Sequence, residues 1–242
     1  MNSEGVILPF AASWLPPGSW LVFAPHADDE TFGMGGSLLR AHWLGIPTRL
    51  VVMTDGAQGG TQPDLVRVRA DEVRRAAQLL GCSEVDFLGE ADRSLKPAAA
   101  LSRKLADLIA QAAPALVFFP GLFEPHPDHR ATALLVWEAL KLLPAARRPI
   151  PVAYEITVQG PVNLLVDISD WMLRKQQVIA VYHSQLQENR YLELSAALNK
   201  LRTFTLGARV EYAEGFHVFS PADVEQSLQA HMAGKLDMLA AT

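Results

Sequence analysis

The chain has 242 residues, half of them apolar, which suffices for one sizeable core and fits a single α/β domain. A formal net charge of −5, with no block of like charges, argues against a protein that neutralises many phosphates, so nucleic acid is not an expected partner. No run approaches the roughly 18 uninterrupted apolar residues of a spanning helix, and no membrane partner is expected. The opening MNSEGVILPF lacks a basic segment ahead of a long apolar run, which predicts no signal peptide. Cys82 is the sole cysteine, so an internal disulfide is impossible and a reducing, cytoplasmic location is expected. Its setting, LLGCSEV, reads as a helix handing over to a strand, where a cysteine packs.

In chain order, apolar runs suited to buried strands fall at 20–24, 48–53, 85–88, 115–119, 152–156, 164–166 and 216–219. Helical patterns lie between the early ones, at 35–44, 65–80, 99–112 and 129–143. Within the second, Val68, Val73, Ala76, Ala77 and Leu80 recur at helical spacing, and Gly81 stops the helix. Strand and helix in alternation mean βαβ units, hence a mostly parallel sheet with helices on both faces. From about residue 150 the pattern changes. Two strand candidates flank Gln159-Gly160-Pro161, which predicts a hairpin or an edge feature. Helices at 170–181 and 189–206, a strand near Gly215 and a final helix from Ala222 complete a small C-terminal elaboration. With no repeat, low-complexity tract or flexible linker, residues 1–242 are expected to form a single domain.

Two loops carry the chemistry. Beyond the first strand comes Pro25-His26-Ala27-Asp28-Asp29-Glu30, at the strand end where open parallel sheets bind ligands. His26 and Asp29 can converge on one ion, since neutral imidazole and carboxylate suit Zn²⁺. Asp28 then points elsewhere, free to accept a proton, while Glu30 also suits a helix N-terminus. The same grammar recurs beyond the fourth strand as Glu124-Pro125-His126-Pro127-Asp128-His129, whose two prolines disfavour helix. One of these histidines completes a three-ligand set with an open position, the arrangement of catalytic zinc. Taken alone, Asp128 reads equally as a helix N-cap.

Pro-His-Ala-Asp-Asp-Glu, followed about a hundred residues later by His-Pro-Asp-His, resembles the LmbE-like (PIG-L) family of zinc-dependent N-acetylglucosamine deacetylases. Weaker matches extend it along the chain: Thr54-Asp55-Gly56-Ala57-Gln58-Gly59, Arg69-Ala70-Asp71-Glu72, and Lys175 leading to Ser184-Gln185. The resemblance implies a Rossmann-like fold, one zinc ion per chain, and hydrolysis of an acetamido group on a small sugar or glycoconjugate. It implies that His26, Asp29 and His129 are the zinc ligands and Asp28 the general base. His126 would assist at the scissile carbonyl as an imidazolium, with Asp128 as its partner. Ala27 replaces the family's usual proline, which touches loop rigidity and none of the chemistry.

Asp55 and Arg69 are weighed as contacts to sugar hydroxyls, although Arg69 equally suits an ion pair with Glu72. His183 reads as a helix-end contact, His42 as surface or packing, and His217 as the less buried face of a strand. His231 has no acidic cluster beside it. Three rivals remain: a dinucleotide binder built on Gly33-Met34-Gly35, a zinc protein without turnover, and a zinc hydrolase of another amide or an ester. The first lacks the third glycine, since Leu38 stands there, and the carboxylates ahead of it would repel a pyrophosphate. Nothing in the sequence selects an oligomeric state.

Overall fold

The computed structural model describes residues 8–240. Its elements run β1 (Trp20–Ala24), α1 (Asp29–Trp43), β2 (Thr48–Thr54), α2 (Leu65–Leu80), β3 (Glu84–Glu90), α3 (Ala99–Ala112), β4 (Leu116–Pro120) and α4 (Pro127–Lys141). There follow β5 (Ile150–Tyr154), β6 (Leu164–Asp167), α5 (Met172–Ile179), α6 (His183–Leu186), α7 (Tyr191–Leu201), β7 (Ala213–Val218) and α8 (Leu228–Ala240). Among the described residues seven strands make one sheet in the order β3-β2-β1-β4-β5-β7-β6. The first five pair in parallel, while β7 runs antiparallel to both of its neighbours. This is the expected α/β architecture with its C-terminal elaboration. No helix among the described residues is long and apolar enough to cross a membrane.

The strand pleat sorts the core into two layers. Trp20, Val22 and Ala24 of β1 pack with Leu38 of α1, Val73 and Ala76 of α2, and Val178 of α5. Leu21 and Phe23 point the other way, onto Leu105 of α3 and Val136 of α4. Helices therefore cover both faces, which is why β1 and β4 are apolar at every position. Gly81 closes α2 at φ 74°, and its missing side chain admits the His42 ring, to which a Cβ would come within 2.1 Å. His42 is an exposed residue lying against Gly81, in keeping with its reading as surface or packing.

Helix α1 begins six residues before the expected start and is kinked at Met34 (φ −142°, ψ 21°). The apolar period misses this first stretch because its residues serve the strand-end site. The kink breaks backbone pairing, and a buried ion pair repairs it. Lys175 Nζ donates to Phe32 O, Asn199 Oδ1 and Glu214 Oε1, each at 2.8 Å. The Glu214 carboxylate in turn accepts from the N–H groups of Gly36 and Ser37, both at 2.8 Å. Gly33 lets α1 approach β5 closely: a Cβ there would sit 2.4 Å from Glu155 O. The glycines of the dinucleotide reading thus serve packing.

The expected hairpin at 159–161 does not form. Strand β7 inserts between β5 and β6, pairing Tyr154 with Phe216 on one side and Leu164 with Phe216 on the other, and β6 becomes the sheet edge. The buried Arg202–Glu155 pair holds the connection instead, with Arg202 Nη2 also donating to Gly160 O at 2.7 Å. The final helix starts at Leu228, because residues 221–225 form a 3-10 turn capped by Ser220 and Asp223.

Candidate metal and catalytic site

Strand β1 lies between β2 and β4, so the chain leaves its two central strands in opposite directions and opens a crevice at their carboxyl ends. The loops after β1 and β4 meet there. Pro25 O accepts from the N–H of Thr54 at 3.0 Å and from its hydroxyl at 2.9 Å, tying the first loop to β2. Arg69, from α2, donates to Gly56 O (3.2 Å), Ala27 O (3.1 Å) and Asp28 Oδ2 (3.2 Å). Asp28 holds φ 138°, ψ −30°, a conformation that costs an L-residue free energy and persists only where its surroundings impose it.

His26, Asp29 and His129 converge. Asp29 Oδ2 lies 3.0 Å from His26 Nδ1 and 3.3 Å from His129 Nε2. Donors of a tetrahedral ion bound at about 2.1 Å stand roughly 3.4 Å apart, so the two spacings that Asp29 Oδ2 makes to the imidazoles are close to what such an ion requires. The far nitrogen of each imidazole meets carboxylates. His26 Nε2 lies 3.2 Å from Asp128 Oδ2 and 3.3 Å from Asp92 Oδ1, and His129 Nδ1 lies 3.4 Å from Glu124 Oε2. Outward N–H groups held this way leave the inward nitrogens free to bind a cation, the usual arrangement around ligating histidines. The His126 ring is 4.6 Å from that of His26 and 5.0 Å from that of His129, centre to centre. The three imidazoles form one group able to hold a metal, and His26, Asp92, His126 and Asp128 form another. The trio with Asp29 has the better chemistry, because Asp128 is spent elsewhere.

The electrostatics follow from burial and pairing. Burial would push the Asp29 carboxyl up, yet the His129 and His26 imidazoles hold it far below the usual range. Against burial, Asp128, Asp29 and Asp92 raise His26 well above its ordinary value, and Asp29 and Glu124 raise His129 to about 9. Burial pushes Asp28 up to about 8, with the Arg69 guanidinium opposing and the Asp29 charge adding. His126 shifts down, first by burial and then by the positive charge on its two neighbours.

The structure changes two readings of the second loop. Asp128 does not partner His126 through its carboxylate, which accepts from the N–H groups of Arg93 (2.7 Å) and Leu95 (3.2 Å) and faces His26. Only its backbone N–H reaches His126, donating to Nδ1 at 3.2 Å, so the imidazole itself caps α4 ahead of Pro127. A ring that accepts at Nδ1 is neutral and carries its proton on Nε2. The contact and the lowered pKa favour a neutral ring where an imidazolium was expected.

His26, Asp28, Asp29, His126, His129 and Arg69 line one cavity of about 740 Å³, while Asp128 is fully buried beneath it. Asp55 is not at the cavity wall; its Oδ1 accepts from the N–H of Ala57 (3.1 Å) and of Asp92 (3.2 Å), fixing the turn. Arg69 is 3% exposed and committed to the first loop, so it braces Asp28 where a sugar contact was expected. Sequence reasoning missed Asp92 and Glu124. Asp92 lies two residues past β3, so the strand-end rule already used for the other loops would have found it. Glu124 sits inside the second motif region, where its place behind His129 depends on how the loop folds back.

Residues 21–140 match the model of the PIG-L family, described as GlcNAc-PI de-N-acetylase. A probable N-acetyl-alpha-D-glucosaminyl L-malate deacetylase 2 from Bacillus anthracis is 28% identical over 183 residues, spanning 68% of this chain and 80% of the relative. The diacetylchitobiose deacetylase of Thermococcus kodakarensis is 29% identical over 188 residues, 70% of each. The crystallised N,N'-diacetylchitobiose deacetylase of Pyrococcus horikoshii superposes with a TM-score of 0.74 at 26% identity, covering 85% of both chains.

Proposed function

This chain carries a PIG-L family domain at residues 21–140, and on that premise we propose that it is a zinc-dependent hydrolase removing the acetyl group from the amide nitrogen of an acetamido sugar or sugar conjugate. The observation that carries the reading is the convergence of His26 Nδ1, Asp29 Oδ2 and His129 Nε2, each imidazole braced from behind by a carboxylate. The deacetylases among its relatives support the reaction class. The single, half-buried thiol, Cys82, pushed up to about 12 by desolvation, suits a cytoplasmic enzyme, and one domain over 1–242 suffices for the site.

His26, Asp29 and His129 would hold the ion, which when bound supplies a Lewis acid and a water of pKa about 7. Asp28 takes up a proton at its carboxylate as the amide carbonyl is attacked, and it returns that proton to the departing amine. Arg69 keeps the Asp28 carboxylate pointing into the cavity through the 3.2 Å contact. His126 donates its Nε2–H to the carbonyl oxygen as negative charge develops there. A neutral, backbone-oriented imidazole does this with no reorganisation, and one such donor contributes about 2.7–4 kcal/mol to the barrier. Asp128, Asp92 and Glu124 hold the two ligand imidazoles in the right tautomer and plane.

The test is amine release from a panel of N-acetyl sugars by metal-loaded protein, with and without a chelator, alongside metal analysis. Stoichiometric zinc with chelator-sensitive acetate release is expected. Full turnover in metal-free protein would overturn the proposal.

A further inference from the structure

Helix α7 divides its apolar residues between the core and the cavity. Leu192 and Ala196 pack on the core, beside the polar Ser195 and Asn199 and the C-cap Arg202, which are 3–6% exposed. Asn199 accepts from Lys175, Arg202 pairs with Glu155, and Ser195 Oγ reaches Phe32 O. The residues it presents to the cavity are Tyr191, Leu194, Ser195, Ala197, Leu198 and Leu201, apolar apart from one phenol and one hydroxyl. Leu194 and Leu201 stay 51% and 58% exposed. An ordinary surface helix keeps its leucines against the core, whereas α7 carries a second set, Leu194, Leu198 and Leu201, on its cavity side. That set serves the cavity.

The opposite side of the same cavity is polar, formed by His26, Asp28, Arg69, Asp92 and His126. A volume of about 740 Å³ falls in the upper part of the range of roughly 300–1,000 Å³ typical of small-molecule sites, with room beyond one sugar ring. A second sugar or a charged conjugate would need hydrogen-bonding groups on the α7 side. There the Ser195 hydroxyl is already engaged, the Tyr191 phenol meets Asn189, and the leucines offer none.

Resting on the deacetylase reading above, we propose that the substrate is an acetamido sugar bearing an apolar aglycone, an alkyl or aryl group that packs along Leu194, Leu198 and Leu201 while the acetamido group meets the polar floor. The sugar is thereby held by its two ends, and α7 selects the substituent.

The test compares methyl and hexyl glycosides of N-acetylglucosamine, measuring both acetate release and binding by calorimetry to metal-loaded protein. Wild type should bind the hexyl compound on the order of tenfold tighter, the gain expected from burying part of the added chain. Leu194→Ser/Leu201→Ser should bring the ratio to about one, and Leu173→Ser, 71% exposed and outside the cavity, should leave it unchanged. Tighter hexyl binding that the double variant abolishes supports the apolar wall even if neither compound is hydrolysed, in which case the deacetylase reading alone fails. Equal binding of both glycosides to wild type overturns the inference. So does a double variant that changes the oligomeric state in sedimentation while keeping the hexyl preference, because α7 would then face a second copy of the chain.

Discussion

Asp28→Asn separates what this carboxylate does in catalysis from what it costs the fold. Burial pushes its pKa from the ordinary carboxylate range up to about 8 in the metal-free protein, with Arg69 only partly offsetting the penalty. A carboxyl raised on folding stabilises the native state below its unfolded pKa of about 3.9, and that contribution is lost as pH rises through about 8. The displacement amounts to on the order of 5 kcal/mol, at 1.36 kcal/mol per tenfold change. Asparagine has the same shape, tolerates unusual backbone angles comparably, and still offers an oxygen to Arg69 Nη2. Metal-free Asp28→Asn should therefore match wild type near pH 4 and become the more stable protein as pH approaches 9. Urea unfolding across that range measures the difference, while the metal-loaded variant should keep zinc and lose turnover. A stability difference that does not vary with pH would refute the assignment of a strained, desolvated base.

Three further outcomes follow from the same geometry. His126→Gln should lower kcat by about 10²–10³ with zinc content unchanged, since it removes one donor from the carbonyl oxygen and no ligand; steady-state kinetics with metal analysis checks it. Asp128→Ala should weaken zinc binding roughly 10–100-fold in a chelator competition, because His26 loses the carboxylate behind its Nε2. It should also lower the unfolding midpoint in denaturant, since the N–H groups of Arg93 and Leu95 lose their acceptor at a cost of about 1–3 kcal/mol each. Zinc affinity should rise with pH towards about 9, because His129 and His26 are raised in the metal-free protein and must shed their protons to bind a cation. Competition titrations at pH 6, 7 and 8 measure it, and a flat profile would count against both histidines as ligands.

Much of the fold was legible because its signals are local. Each βαβ unit declares itself through an apolar run, a helical period and a stop such as Gly81, and the strands 20–24 and 164–166 lie where they were expected or one residue from it. The start of α1 was not legible, since the residues of its first turns are chosen for the site and carry no apolar period. Of the two readings of 159–161 the edge feature held and the hairpin did not: strand order depends on which edge β7 reaches, and no residue near Gly160 encodes that choice.

At the site, sequence alone determined that His26, Asp28 and Asp29 follow one buried strand and His126, Asp128 and His129 another, because adjacency in the chain fixes adjacency in a turn. Tertiary structure decided who faces whom. It turned the Asp128 carboxylate to His26, made His126 a neutral donor, moved Asp55 off the wall and brought in Asp92 and Glu124. Hydrogen bonds and ion pairs depend on distances of about 3 Å between atoms of separate loops, and only the packing of β1, β3 and β4 into one sheet sets those distances.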